Sequence, residues 1–466
     1  MVFSSLTFLF LFLPALYLLY FLFPMPRWRN GVLIVMSLLF YGWGEPVWIL
    51  AMLFSTGVNY LCGIFLARAR SGAARKLILA VGVFASVVFL LYFKYSAFAV
   101  NSLFALLGVN RRMASLGLPI GISFYTFQIL TYSVDVYRGK APVLRNPLRL
   151  LLYISCFPQL IAGPIVQYGD VADQLPERSV TPDDFSDGMQ RFIKGLGKKV
   201  LLANVCGAAL EETTLAGAGA ALSFGGAWLS MFLYGLQIYF DFSAYSDMAI
   251  GLGRTLGFRY KENFDFPYMS LSVTEFWRRW HISMGSFFRD YVYIPLGGSR
   301  QGKKRTIVNL LIVWSLTGLW HGASWNFMFW GLYFCALLIV ERYVLGKRLE
   351  KLPGLLRWAL TGILVFIGWT IFYYTDPAAL GRHLAAMFGI GVSGLLDDAA
   401  RAVIRKYTVF PLLAWLLSLP VVPWVGRRLP EGLFAGIRIL CTAMIFVASV
   451  LFLIGQSYNP FIYFRF

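Results

Sequence analysis

His321 is the residue of this chain best suited to do chemistry. It sits in LTGLWHGASWNFMFWG, Leu316 to Gly331, and between residues 306 and 340 no other side chain titrates near neutral pH. An ionisable group buried in so apolar a run is a functional hypothesis by default. A neutral imidazole is also the side chain suited to take a proton from an alcohol near pH 7. The plainer reading is that His321 hydrogen-bonds a neighbouring helix. Gly318 and Gly322 allow a close backbone approach, which serves packing or a substrate path equally.

A second histidine, His281, lies in TEFWRRWHISMGSFFRDYVYIPLGG, Thr274 to Gly298. Ser272 and Glu275 have capping-box spacing, so a short helix is predicted to start there. On that helix Thr274, Trp277 and His281 share a face. Arg278, Arg279, Arg289, Glu275 and Asp290 crowd the same stretch. Charges near lipid cost several kcal/mol unless they pair or meet water. The structural reading is a set of internal salt bridges holding a re-entrant helix.

Two carboxylates, Asp241 and Asp247, stand in GLQIYFDFSAYSDMAIGLG, a stretch with no other charge. A transporter would use them as proton or cation sites. The alternative is that they anchor the basic 275–290 segment by ion pairing. The chain has no GxSxG elbow, Walker A loop or HExxH pair, and its three histidines have no zinc or haem spacing, which argues against metal chemistry.

The elements that must position these residues are membrane elements. Charged residues make up 14% of the chain and hydrophobic ones 59%, whereas a soluble domain carries about 25% charged. Mean hydropathy is +0.68. Residues 1–26, 46–67, 77–93, 95–110, 113–134, 150–169, 213–240, 358–375, 407–426 and 439–464 contain no charge. A helix crosses a hydrocarbon core of about 30 Å with about 20 apolar residues. The fold expected is therefore all-α and polytopic, with roughly 11–13 transmembrane or re-entrant helices. The 306–340 run would be about 52 Å long as one helix. It is either steep and over-long or a tight hairpin broken near Gly318 and Gly322.

The first segment lacks a basic leader and a cleavage site, so it reads as a span with its start outside and Arg27 in the cytoplasm. FSDGMQRFIKGLGKK places Phe185, Met189, Phe192, Ile193 and Leu196 on one face, an amphipathic helix for the membrane interface. Pro119, Pro158 and Pro164 break helices where a channel wall would tolerate it. Residues 376–406 look like an ordinary loop. The five cysteines lie apart and read as small buried side chains. The net charge of +19 is scattered between spans. It fits cytoplasmic loops that touch anionic lipid and gives no reason to expect nucleic acid. The whole chain, 1–466, reads as a single membrane domain.

The segments LPIGISFYTFQ, LIAGP, YFDFSAYSDMAIGLG, ENFDFPY, TEFWRRWHISM, FRDYVYIPLGG and GLWHGASW resemble the membrane-bound O-acyltransferase superfamily. The likeness is greatest to its bacterial branch, which includes the alginate and peptidoglycan O-acetyltransferase membrane subunits. It covers residues 1–345, with the motif-bearing core at about 118–345; residues 346–466 are further membrane helices of unassigned role. The resemblance implies a ring of helices around a central tunnel, in a bacterial cytoplasmic membrane. It implies that His321 is the catalytic histidine and that His281 is the second polar catalytic position. The implied reaction is acetyl transfer from a cytoplasmic thioester, acetyl-CoA, towards an extracytoplasmic polysaccharide. The implied partner is a separate extracytoplasmic protein of SGNH-hydrolase type that carries the group onward; no tightly bound cofactor is implied. Trp277, Trp320, Trp325 and Phe327 would exclude water. Arg278, Arg279 or the 300–305 cluster would meet donor phosphates. Asn326, Asp241 and Asp247 complete the candidate substrate path, and a proton-coupled transporter built on those two carboxylates is the competing reading.

Overall fold

The computed structural model describes residues 1–114, 116–161, 163–216, 222–455 and 461–462; they are helical, with no strand among them. Among the described residues, five helices are long and apolar enough to cross a membrane: Ile49–Arg68, Gly72–Leu106, Trp325–Leu345, Gly354–Tyr373 and Glu431–Ile454. Their side chains are largely exposed, with Leu77, Phe84, Leu106, Leu355, Met444 and Leu451 among the open apolar residues. A water-soluble chain rarely leaves patches of that size uncovered. The chain is a multi-pass membrane protein.

Of the 11–13 transmembrane or re-entrant segments expected, these five meet that length; several other apolar runs are interrupted. The 1–26 run becomes a short helix, Phe8–Leu22, and the chain restarts at Pro26. Proline suits a first helical position, where its missing N–H has no partner to lose. Within the 113–134 run the helix Ile122–Arg138 begins only after Gly121, which adopts φ 78°. The 150–169 run is divided between Pro147–Ser155 and a four-residue turn, Phe157–Leu160.

Contacts divide the chain into two compact units. Of the described residues, the first holds those of Met1–Phe192 and Tyr245–Glu262; the second holds those of Ile193–Ala244, 263–455 and 461–462. The amphipathic stretch is the helix Pro182–Gly197, whose residues up to Phe192 lie in the first unit. Its apolar face meets protein: the Phe185 ring lies 5.1 Å from that of Tyr17. Gly188 lies so close to Gly251 that a Cβ on it would stand 2.7 Å from the Gly251 oxygen.

In the second unit, the 306–340 run is a hairpin. One helix, Gly302–His321, ends at the histidine, Gly322 is extended, and Trp325–Val340 returns. The expected break falls at Gly322. The two helices touch through backbone: a Cβ on Gly331 would collide with the Trp314 carbonyl, and one on Gly318 with that of Phe327. Residues 376–406 are not a plain loop. They form the helices Pro377–Met387 and Asp398–Tyr407, each capped by an aspartate side chain, Asp376 and Asp397. Cys62, Cys156, Cys206 and Cys335 are buried free thiols, and Cys441 is half-buried.

Candidate active site

His321 is 3% exposed, at the end of its helix. Rings wall it on three sides. The centroid of Trp320 lies 5.0 Å away, that of Trp330 4.9 Å and that of Phe372 5.2 Å, all edge to face. Such packing excludes water from the imidazole and holds its plane.

His281 does not lie on a helix face with Thr274 and Trp277. The short helix Val273–Arg279 starts as expected, with Ser272 Oγ accepting from Glu275 N at 3.0 Å. The Glu275 carboxylate accepts from Leu271 N at 2.9 Å, one residue ahead of the box position. The helix stops at Arg279, Trp280 is extended, and His281 takes a left-handed conformation, φ 47° and ψ 52°, before Ile282–Phe288. A non-glycine residue held there costs about 1–3 kcal/mol and needs its surroundings to over-determine it. The surroundings are Asn263, whose main-chain oxygen accepts from Ile282 N at 2.9 Å, and Asp265, whose N–H donates to Arg279 O at 2.9 Å. The kink buries His281 completely. It also brings the imidazole to 5.8 Å from the Trp320 ring, so Trp320 contacts both histidines.

Trp277 packs its ring on the His321 hairpin, 4.8 Å from Trp314, 4.9 Å from Phe334 and 5.4 Å from Trp330. The far end of that hairpin reaches back to the same short helix: the Glu341 carboxylate accepts from Val273 N at 2.6 Å and Thr274 N at 2.8 Å. A carboxylate at a helix N-terminus meets unsatisfied N–H groups and the positive end of the dipole. Asn326 Nδ2 donates to Phe372 O at 3.0 Å, which ties the hairpin to the next span. Phe327 is buried with its ring 4.8 Å from Phe372. Trp325 is more than half exposed and faces outward from the buried wall.

The arginines behave mostly as structure. Arg279 bonds Asp265 at 2.8 Å and Glu275 at 3.0 Å, and Arg289 bonds Asp290 at 2.8 Å. Arg278 is exposed and forms no ion pair among the described residues. The 300–305 cluster is exposed at the opposite end of the His321 helix, about 30 Å away along 20 residues. Lys303 reaches the Tyr343 ring there, 4.9 Å from its centroid.

Asp241 and Asp247 are both ion-paired, with partners outside the expected 275–290 segment. Asp241 meets Lys199 at 2.5 Å, with both side chains about 95% buried or more, and accepts from Ile462 N at 2.7 Å. Asp247 belongs to the other unit, where Arg191 bonds it at 2.9 Å and also holds Glu262. Carboxylates neutralised in this way leave little for a transported cation to bind. Phe461 is also buried, 5.8 Å from the Phe242 ring, which is itself 4.6 Å from His281. Asn263, Lys199, Glu341 and Phe461 escaped sequence reasoning. Only Asn263 carried a signal, inside ENFDFPY.

Comparison with known proteins decides the class. The membrane-bound O-acyltransferase family matches residues 139–378, a span that contains both histidines. The chain belongs to that family. It is 39% identical to a probable alginate O-acetylase of Azotobacter vinelandii and 40% identical to the Pseudomonas putida protein of the same name, over the whole of each chain. It is 32% identical to a peptidoglycan O-acetyltransferase of Helicobacter pylori, over 84% of this chain and 81% of the other. As a membrane-bound O-acyltransferase, the chain is an enzyme that moves an acyl group, and the rings of His281 and His321 both pack on Trp320.

Proposed function

We propose that this acyltransferase moves an acetyl group from a cytoplasmic thioester, acetyl-CoA, to a hydroxyl bound for an extracytoplasmic polysaccharide of the alginate or peptidoglycan kind. It does so in the bacterial cytoplasmic membrane and hands the group to an extracytoplasmic partner protein. The observation that carries the reading is the pair of buried histidines on Trp320, in a chain that aligns end to end with proteins named for alginate O-acetylation.

His321 takes the hydroxyl proton as the hydroxyl oxygen attacks the thioester carbonyl carbon. The resulting tetrahedral centre collapses, the C–S bond breaks, and the proton passes from the imidazolium to the leaving thiolate. The products are an ester and a free thiol. A thioester is already activated, so most of the work is positioning and exclusion of water. Trp320, Trp330 and Phe372 supply that wall around His321.

Membrane vesicles containing the full chain, given acetyl-CoA labelled in the acetyl group, test the donor. Label passing to protein or glycan in wild type but not in His321→Ala supports the reading. Equal transfer by the two, or none by wild type, contradicts it.

A further inference from the structure

His281 and Asn263 fix each other's hydrogen-bonding direction. Asn263 Oδ1 lies 3.2 Å from Ser283 N, 2.8 Å from Ser283 Oγ and 3.1 Å from His281 Nδ1. Amide oxygen and nitrogen are hard to tell apart by position alone. A backbone N–H only donates, however, so the amide atom facing Ser283 N is the oxygen. An acceptor oxygen facing Nδ1 requires Nδ1 to carry the hydrogen. A neutral imidazole has one donor and one acceptor nitrogen, so Nε2 keeps its lone pair. Nε2 is buried and has no hydrogen-bond partner among the described residues. Buried polar atoms are nearly always satisfied, and an exception calls for an explanation such as an absent ligand. The rings facing His281 are Phe242, Phe264 and Trp320, none of them charged.

We propose that Asn263 is a positioning residue that holds His281 as the Nδ1–H tautomer, so that Nε2 serves acyl transfer as an acceptor for a hydroxyl or thiol donor and not as a donor to an oxyanion. The inference rests on the acyl-transfer reading for its use, but the tautomer itself can be measured without turnover. The outer donor to Asn263, Ser283, is the second residue of the next short helix, so one residue holds the left-handed kink through its main-chain oxygen and the tautomer through its side chain.

The chain has three histidines, which makes the measurement direct. Full-length protein labelled with 15N and 13C in histidine, in lipid bilayers, gives solid-state spectra in which protonated and bare ring nitrogens separate. His321→Gln and His383→Gln assign the signals. His383 is an internal reference of the opposite kind. Its Nε2 lies 3.1 Å from the Ala227 carbonyl and must donate there, while Nδ1 lies 2.9 Å from the Tyr374 hydroxyl. At pH 7 the expected result for His281 is a proton on Nδ1 and a bare Nε2. A proton on Nε2 overturns the proposal.

Asn263→Asp tests whether transfer uses that tautomer. A carboxylate facing Nδ1 favours the imidazolium, so the acid limb of the pH–rate profile moves up by about one to three units. The rate above the limb stays near that of wild type. A uniform loss with an unmoved limb reduces Asn263 to a fold-stabilising residue and overturns the positioning role. If Asn263→Asp fails to accumulate in membranes, Ser283→Ala is read instead. It removes one competing donor from Oδ1 and moves the limb the same way by a smaller amount; an unmoved limb again overturns the role. Wild-type protein inactive with acetyl-CoA would sink the donor assignment alone, since the spectra still decide the tautomer.

Discussion

The indole of Trp320 lies 5.8 Å, centroid to centroid, from the imidazole of His281. Its neighbour in the chain, His321, packs on the same indole at 5.0 Å. One aromatic ring thus spaces the two histidines and shields both from water. Trp320→Phe keeps a ring and should keep most of the transfer. Trp320→Ala opens the wall, and transfer should fall at least about tenfold, the size of effect a misplaced reactive group produces. Donor hydrolysis measured alongside transfer should rise relative to it. Unchanged coupling between the two would remove the shielding role.

The Lys199–Asp241 pair is almost wholly buried. Removing one partner of such a pair leaves an uncompensated charge, at a cost of about 3–5 kcal/mol, whereas replacing both by apolar residues is often neutral. Asp241→Asn should therefore lower the melting temperature in detergent strongly. Lys199→Met combined with Asp241→Leu should recover much of the loss. A transporter using Asp241 would instead keep its stability in the single variant.

Gly331 lets the histidine hairpin close, since a Cβ there meets the Trp314 carbonyl. Backbone cannot move aside as a flexible side chain can. Gly331→Ala should destabilise by about 1–3 kcal/mol and lower transfer by displacing the Trp330 ring on the next residue back. Gly285→Ala, with open space around its Cβ, is the control and should leave the unfolding free energy within about 1 kcal/mol of wild type, as helix propensity favours alanine by that amount.

His383 supplies a pH dependence of stability. Burial holds its imidazole down to about 4, against about 6.5 for an exposed histidine. As pH falls, the unfolded chain binds this proton first. The stability contributed by neutral His383 is complete above pH 6.5 and is lost progressively towards pH 4. Melting curves from pH 7.5 to 4.5 should show wild type losing more stability than His383→Gln across that window. Parallel curves would show that His383 does not titrate differently on folding.

Much of this was legible in the sequence where the cause is local. The over-long apolar run had to break, and glycine next to His321 marked where. Ser272 and Glu275 announced the start of the Val273–Arg279 helix through a short-range bond. The membrane class followed from uncharged runs, and proline and glycine divide several of these into shorter helices. What sequence reasoning missed depends on distant partners. Periodicity carried His281 onward along a helix, but Asn263, 18 residues earlier, draws the chain into a left-handed kink instead. Asp241 is paired across 42 residues of chain with Lys199, and no spacing rule links them. Glu341 caps a helix 68 residues before it. Such contacts are made by tertiary packing and leave no periodic trace.

The central claim is that His321 carries the transfer. The most direct test is the O-acetyl content of extracytoplasmic glycan in cells whose only copy of this chain is His321→Ala, with membrane insertion verified by blotting. O-acetylation is expected to disappear while the protein remains in the membrane at wild-type level. Normal O-acetylation with the variant protein present would contradict it.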